Sequence, residues 1–283
     1  MKLRALLKLM RIEQWYKNLL IVVPAVFSLK LTDISIYLPL LMGFLSLSLA
    51  SSAGYVFNDI KDLERDRLHP RKQYRPLASG QVSVKEAELL MFTLIATSLG
   101  LAIQLGTCFT AHIVALVLIA FLYSLYLKKV AVVDVTAIAV NYLIRAVSGA
   151  VLIGVEVSPW LIAGIFFLAL FLVLSKRKAE LNIAGSTSRE VLRVYGGKWL
   201  DQALNMCAAM VMVTYAIYCA EVPLGHKLVP TIPLMAFFLL RYTLALELSK
   251  GEHPHEVVLG DKLTLLATLA LISSVLLLVY VWP

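Results

Sequence analysis

IYLPLLMGFLSLSLASSAGYVF, residues 36–57, has no charged side chain in 22 residues and runs straight into NDIKDLERDRLHPRKQYRP, residues 58–76. About 20 apolar residues wound as an α-helix cover the ~30 Å hydrocarbon core of a bilayer. The first stretch therefore reads as a helix in lipid. The second reads as the polar segment into which that helix emerges at the membrane surface.

The rest of the chain repeats the apolar half of this pattern. Apolar residues make up 60% and charged residues 16% of the 283, against roughly 45–50% apolar in a soluble domain. Runs of spanning length also lie at 15–31, 84–105, 107–127, 133–154, 159–175, 200–221, 229–249 and 263–282, so nine spans are predicted. Only helices and closed barrels satisfy their backbone in lipid, and these runs lack the alternation of ~10-residue barrel strands. The predicted fold is all-α and integral to the membrane, a single domain over residues 1–283 without an internal repeat.

Lysine and arginine set the orientation, because cytoplasmic loops retain positive charge near span ends. The N-terminus and the segments after spans 2, 4, 6 and 8 hold 22 of the 26 cations; only Lys30 and Lys227 fall on the other side, and Arg145 and Arg241 sit inside apolar runs. The N-terminus is thus expected in the cytoplasm and the C-terminus outside, in the cell (plasma or inner) membrane. Residues 1–13 put Leu3, Leu6, Leu7 and Met10 on one helical face and Arg4, Lys8 and Arg11 on another, as a segment lying on the membrane surface does. The net charge of +8 is gathered where topology alone requires it, without interleaved stacking aromatics, so no nucleic acid is expected as partner. Cys108, Cys207 and Cys219 lack metal-ligand spacing and read as packing residues. Outer loops are short, whereas the inner loops 58–83, 176–199 and 250–262 are long and polar, so chemistry is expected on the cytoplasmic side.

If the helix of span 2 continues into the polar segment, Asn58, Asp59, Asp62 and Asp66 fall within about a 100° sector and Glu64 points away. Oxygen side chains so gathered repel unless a hard cation joins them, and Mg²⁺ shared between carboxylates and substrate phosphates is the usual resolution. Lys61, Arg65, Lys72 and Arg75 stand ready for the phosphates. The bland alternative is a solvated loop that only enforces topology, but topology depends on cations and asks for no acids. In span 5, Asp134, Asn141 and Arg145 lie within about 40° of one another, a polar stripe descending from the cytoplasmic end. Arg145 in such a place faces either a phosphate in a cavity or neighbouring helix carbonyls. Gln14, Lys17 and Asn18 share a sector at the start of span 1, where topology explains a lysine equally well. Lys128 carries the same ambiguity, and Tyr123 reads equally as an interfacial aromatic. His253 and His255 read as loop residues, and Arg241 has no readable partner.

Asn58-Asp59-x-x-Asp62-x-x-x-Asp66 followed by Arg75-Pro76-Leu77-Ala78-Ser79-Gly80 resembles the UbiA prenyltransferase superfamily, whose motif specifies diphosphate chemistry. Gln14-Trp15-x-Lys17-Asn18, His69-Pro70-x-Lys72, Tyr123-Ser124-Leu125-x-x-Lys128, Leu143-x-Arg145-Ala146, Lys176-Arg177-x-Ala179-Glu180-Leu181 and Pro254-x-Glu256-x-x-Leu259-x-Asp261 are similar to its phosphoribosyl branch, the decaprenyl-phosphate phosphoribosyltransferases. The resemblance implies a bundle with a cytoplasm-facing cavity, in which Asp59, Asp62 and Asp66 act catalytically and with Asn58 hold Mg²⁺. It implies substrate contacts from Lys17, Asn18, Arg65, Lys72, Tyr74, Arg75, Tyr123, Lys128, Asp134, Arg145, Lys176 and Arg177. The implied substrates are 5-phosphoribosyl-1-diphosphate and a polyprenyl phosphate lipid, in lipid-linked pentose synthesis for the cell wall. One departure stands out: prenyl-diphosphate users in the superfamily commonly carry a second motif of the Asp-x-x-x-Asp type after span 6, where this chain has Lys176-Arg177-Lys178-Ala179-Glu180. A prenyl transfer to an aromatic or glycerophosphate acceptor is the runner-up expectation, and an anion transporter built around Arg145 the third. A homo-oligomer is left open.

Overall fold

In the computed structural model residues 2–184, 190–248, 251 and 253–281 are described, and every regular element among them is helical. Parts of two predicted inner loops, residues 185–189, 250 and 252, lie outside the described residues, as do Trp282 and Pro283 at the predicted external end. Eight helical segments among the described residues are long and apolar enough to cross a membrane: Ile34–Lys61, Val84–Gln104, Thr107–Leu125, Val133–Ile153, Pro159–Ile183, Gly197–Glu221, Pro223–Leu248 and Lys262–Tyr280. They coincide with predicted spans 2 to 9, and the chain is an integral membrane protein.

The first predicted span, 15–31, takes another form. After α1 (Lys2–Met10) the chain enters an 11-residue 3₁₀ helix, Ile12–Val22, then the short α2 (Val23–Phe27), and Leu29 at φ 60° ends the run. With three residues per turn, side chains three apart eclipse one another. Trp15, Asn18 and Ile21 thus stand in one line, and all three meet the first unit's interior: Trp15 Nε1 donates to Ser52 Oγ at 3.0 Å, Asn18 Nδ2 donates to Ser48 Oγ at 3.0 Å, and Ile21 is fully buried. An α-helix would spread them over about 120°.

Contacts divide the chain into two compact units. The first comprises Met1–Ala25, Lys30–Lys128 and Ile144–Glu156. Its centre is α3 (Tyr37–Lys61), which packs against α1, the 3₁₀ helix, α5 (Val84–Gln104) and α6 (Thr107–Leu125). Helices in lipid associate through close packing and hydrogen bonds, because lipid is as apolar as leucine. The face of α3 is accordingly small and polar: Ser46, Ser48, Ala50, Ser51, Ser52 and Ala53 are buried. Ser46 Oγ donates to the Ser98 carbonyl at 2.8 Å and Ser98 Oγ returns a bond to the Ser46 carbonyl at 2.7 Å, joining α3 to α5. The second half of α7 (Val133–Ile153) comes so near the 3₁₀ helix that a Cβ on Gly149 would lie 1.9 Å from the Ile21 carbonyl oxygen. A short α4 (Leu63–Arg67) follows α3, and Leu77 and Val82 of the next loop are buried beside Ala5, Leu9, Ala53 and Val56.

The second unit comprises Val26–Leu29, Lys129–Leu143 and Val157–Pro283. Here α8 (Pro159–Ala184) lies along α9 (Gly197–Glu221), and α10 (Ile232–Leu248) packs on α12 (Lys262–Tyr280), with α11 (Pro254–Gly260) against α8, α10 and α12. Phe171, Tyr195, Leu200, Leu204, Tyr242 and Leu246 form its core.

Candidate active site

The helix of span 2 runs on into the polar segment. Asp62 (φ −92°, ψ 3°) is a joint between α3 and α4, yet its N–H still donates to the Asn58 carbonyl at 2.9 Å, and the Asp66 N–H to the Asp62 carbonyl at 2.8 Å. The helical register therefore carries through the joint. The four oxygen-bearing residues meet two bridging cations. Arg75 Nη1 donates to Asp59 Oδ1 at 3.0 Å and to Asp66 Oδ2 at 2.6 Å; Lys128 Nζ donates to Asn58 Oδ1 at 3.2 Å and to Asp62 Oδ1 at 2.6 Å. Asp59 and Asp66 are buried, each 3% exposed. Removing one partner of a buried pair strands the other charge, at about 3–5 kcal/mol. The hard oxygen donors suit Mg²⁺, and each bridging nitrogen joins two of them, two carboxylates at Arg75 and one carboxylate and one amide at Lys128. Among the described residues, no three Asp, Glu, His or Cys side chains are grouped closely enough to hold a metal ion as they stand. The fit to a metal is thus one of donor chemistry, with the protein's own cations in occupation.

The loop after α4 aims Arg75. His69 Nδ1 accepts the backbone N–H groups of Arg71 at 3.2 Å and Lys72 at 3.3 Å, which shapes the turn Lys72–Tyr74. Burial, then the neighbouring Lys72 ammonium, lower the His69 pKa, in keeping with a neutral ring that accepts at this nitrogen. Arg75 leaves the turn extended (φ −63°, ψ 145°), as a residue before proline prefers. Lys72 is half-buried, Tyr74 is exposed, and Arg65 and Lys61 are exposed, Lys61 with its ammonium 5.6 Å from the Phe57 ring.

Arg11 was not among the predicted site residues. Its Nη2 donates to Asp59 Oδ1 at 2.6 Å, and its guanidinium lies 5.1 Å from the Tyr55 ring centroid. The backbone of Arg11 is left-handed (φ 52°, ψ 52°), a conformation that costs a residue with a Cβ about 1–2 kcal/mol. Ser52 secures it from both sides: its hydroxyl donates to the Met10 carbonyl at 2.8 Å and accepts from the Trp15 indole. In the sequence, nothing separates Arg11 from the cations that topology alone demands.

Elsewhere in the first unit, Arg145 Nε donates to Asn18 Oδ1 at 2.7 Å and its Nη2 to Ser51 Oγ at 3.3 Å. Both of these acceptors are neutral side-chain oxygens. Asn18 lies inward and buried, whereas Lys17, expected in the same sector, is half-buried with its ammonium 5.9 Å from the Tyr16 ring. The 3₁₀ winding separates them, placing Gln14 and Lys17 on the neighbouring line. Tyr123 is half-buried.

In the second unit, Arg177 Nε donates to Asp134 Oδ2 at 3.0 Å and its Nη1 to Glu180 Oε2 at 3.1 Å. The Tyr195 hydroxyl also donates to Asp134 and accepts the Val132 N–H at 2.6 Å, pinning Val132 at φ 68°, an outlying angle for a β-branched residue. Burial and then the bond to Asp134 raise the Tyr195 pKa. Lys178 bonds Asp201 and Glu247, and Lys176 Nζ lies 4.0 Å from Glu180 Oε1. The basic run that replaces a second acidic motif is therefore matched by acids within its own unit. Arg241, without a partner legible in the sequence, grips Asp261 through Nε at 2.8 Å and Nη2 at 2.5 Å.

Known proteins match this chain, some of them along nearly its whole length. Decaprenyl-phosphate phosphoribosyltransferase of Mycobacterium tuberculosis is 32% identical over 284 residues, 95% of this chain and 92% of that protein. 4-Hydroxybenzoate octaprenyltransferase of Legionella pneumophila is 49% identical, but over 73 residues, 25% of this chain and 26% of that one. The solved structure of a UbiA homologue from Archaeoglobus fulgidus bound to GPP and Mg²⁺ superposes with a TM-score of 0.76 at 21% identity, covering 98% of this chain and 100% of that one. The model of the UbiA prenyltransferase family matches residues 19–259, through both units, and the chain belongs to that family of membrane-embedded transferases.

Proposed function

We propose that the chain transfers the 5-phosphoribosyl group of 5-phosphoribosyl-1-diphosphate to a polyprenyl phosphate at the cytoplasmic face of the cell membrane, releasing diphosphate, in Mg²⁺-dependent synthesis of a lipid-linked pentose. The observation that carries this reading is the extent of the match to a decaprenyl-phosphate phosphoribosyltransferase, 95% of one chain on 92% of the other. A phosphate oxygen of the lipid forms a bond to C1 of the ribose as the bond from C1 to the diphosphate breaks, its electron pair leaving with the diphosphate. Bound Mg²⁺ supplies charge neutralisation on that leaving group. Asn58, Asp59, Asp62 and Asp66 are the residues that would hold it. Arg75 and Lys128, already beside these carboxylates, bind phosphate oxygens, and Lys72 and Lys17 extend the basic surface. No strong base is required, because a phosphate monoester with a second pKa near 6 is already largely dianionic. Catalysis is then chiefly positioning and electrostatics.

The cytoplasmic placement rests on the asymmetry of lysine and arginine across the spans. A ninth crossing is supported by length. Eleven 3₁₀ residues at ~2.0 Å each and five α-helical residues at ~1.5 Å reach about 30 Å, the thickness of the hydrocarbon core. A family match running through both units supports reading the whole chain as one transferase domain.

A prenyl diphosphate donor with an aromatic acceptor is favoured by the local match to 4-hydroxybenzoate octaprenyltransferase, which stops at a quarter of the chain. Purified protein given radiolabelled 5-phosphoribosyl-1-diphosphate and a polyprenyl phosphate separates the two. Labelled lipid is expected, and Asp62→Asn is expected to lower its formation by about 10²-fold or more. Consumption of a prenyl diphosphate without labelled lipid would reverse the assignment.

A further inference from the structure

Two guanidinium groups crowd one oxygen. Asp59 Oδ1 accepts from Arg11 Nη2 at 2.6 Å and from Arg75 Nη1 at 3.0 Å. Arg75 arrives on the loop next to the acidic motif, but Arg11 comes from 48 residues earlier in the chain. Its left-handed backbone, the Ser52 clamp on Met10 and Trp15, and the Tyr55 ring under its guanidinium together aim it. Ser52 lies seven residues before Asp59, two turns along the same face of α3. A cation serving topology alone requires none of this construction.

A divalent cation held by Asp59 would face those guanidinium charges, which oppose its binding and already occupy one carboxylate oxygen. Diphosphate changes the balance by offering a displaced arginine other oxygens, in a charge-assisted bond of the same kind. We propose that Arg11 is a stand-in cation: it neutralises Asp59 whenever no metal diphosphate is bound and passes to a phosphate oxygen when metal and diphosphate bind. The two ligands then bind as a pair, each raising the affinity of the other by the same factor. This rests on reading the site as one for a metal diphosphate, and it adds Arg11 as the residue that makes the binding conditional.

The test uses the full chain in lipid nanodiscs, Mn²⁺ as a spectroscopically visible divalent probe, and inorganic diphosphate. Arg11→Gln is expected to tighten Mn²⁺ binding in the absence of diphosphate by about ten-fold, within the usual range of coupling between two ligands, and to shrink the further gain from diphosphate. The complex of Mn²⁺ with diphosphate in solution is common to both proteins and cancels in the comparison. Ser52→Ala, which loosens the turn and removes no charge, is expected to move the metal-only affinity the same way by less, and it keeps the test in force if Arg11→Gln does not fold. Metal-only affinity unchanged in both variants overturns the role of Arg11. Failure of the wild-type protein to bind Mn²⁺ even with diphosphate removes the metal-diphosphate reading and this inference together.

Discussion

Asp261 caps one helix and grips an arginine on another. It accepts the Thr264 N–H at 2.8 Å at the start of α12 and both Arg241 bonds from α10. Arg241 first, then Thr264, hold its carboxyl well below the usual carboxylate range. The folded protein therefore binds fewer protons there than the unfolded chain, so the contribution is complete above the ordinary carboxylate pKa of about 3.9 and fades as pH falls below it. Arg241→Gln is expected to lower the melting temperature by a constant amount between about pH 5 and 8, with the gap to wild type closing towards pH 3; a gap that stays level to pH 3 would show the ion pair to be inert. The same residue illustrates what a linear chain conceals. Asp59, Asp62 and Asp66 could be read as one face because their spacing obeys helical arithmetic in one local stretch of chain. Arg241 and Asp261 are joined across a loop, and Arg11 reaches Asp59 from another element altogether. Asp134 was legible in the polar stripe of span 5 and Arg177 as a cation of the inner loop 176–199, but their mutual pairing depends on α7 and α8 and left no mark in the spacing of either.

At the scale of elements, the 3₁₀ helix Ile12–Val22 and the end of α7 depend on an absent side chain. A Cβ at Gly149 would lie 1.9 Å from the Ile21 carbonyl oxygen, and no rotamer moves a backbone atom away. Gly149→Val is expected to destabilise by about 3 kcal/mol or more, at the upper end of overpacking costs, read as a lowered melting temperature. Gly100→Ala in α5, where nothing lies within 4 Å, is expected to be neutral or to stabilise by up to about 1 kcal/mol. Equal effects of the two would refute the close approach. Eight spans were legible because helices of 19 to 28 residues built around long apolar stretches admit few other structures in lipid. The 3₁₀ segment was not, because a period of 3.6 was applied where the inward residues recur every three, and the hydrogen bonds that reward that winding come from serines on α3.

For the molecule as a whole, the number of crossings decides whether its two ends share a compartment. Nine crossings put the N-terminus inside and the C-terminus outside, and eight put both on one side. Reporter fusions at each terminus are expected to respond oppositely, and matching responses would remove the first crossing. The 3₁₀ winding of Ile12–Val22 sets the length of this segment. Rewinding its eleven 3₁₀ residues as α-helix would shorten it by about 5 Å and turn its far end by about 220°. Were this segment to cross the bilayer, a rewinding of that size would break the bonds of Asn18 to Arg145 and Ser48, which hold the longer form in place.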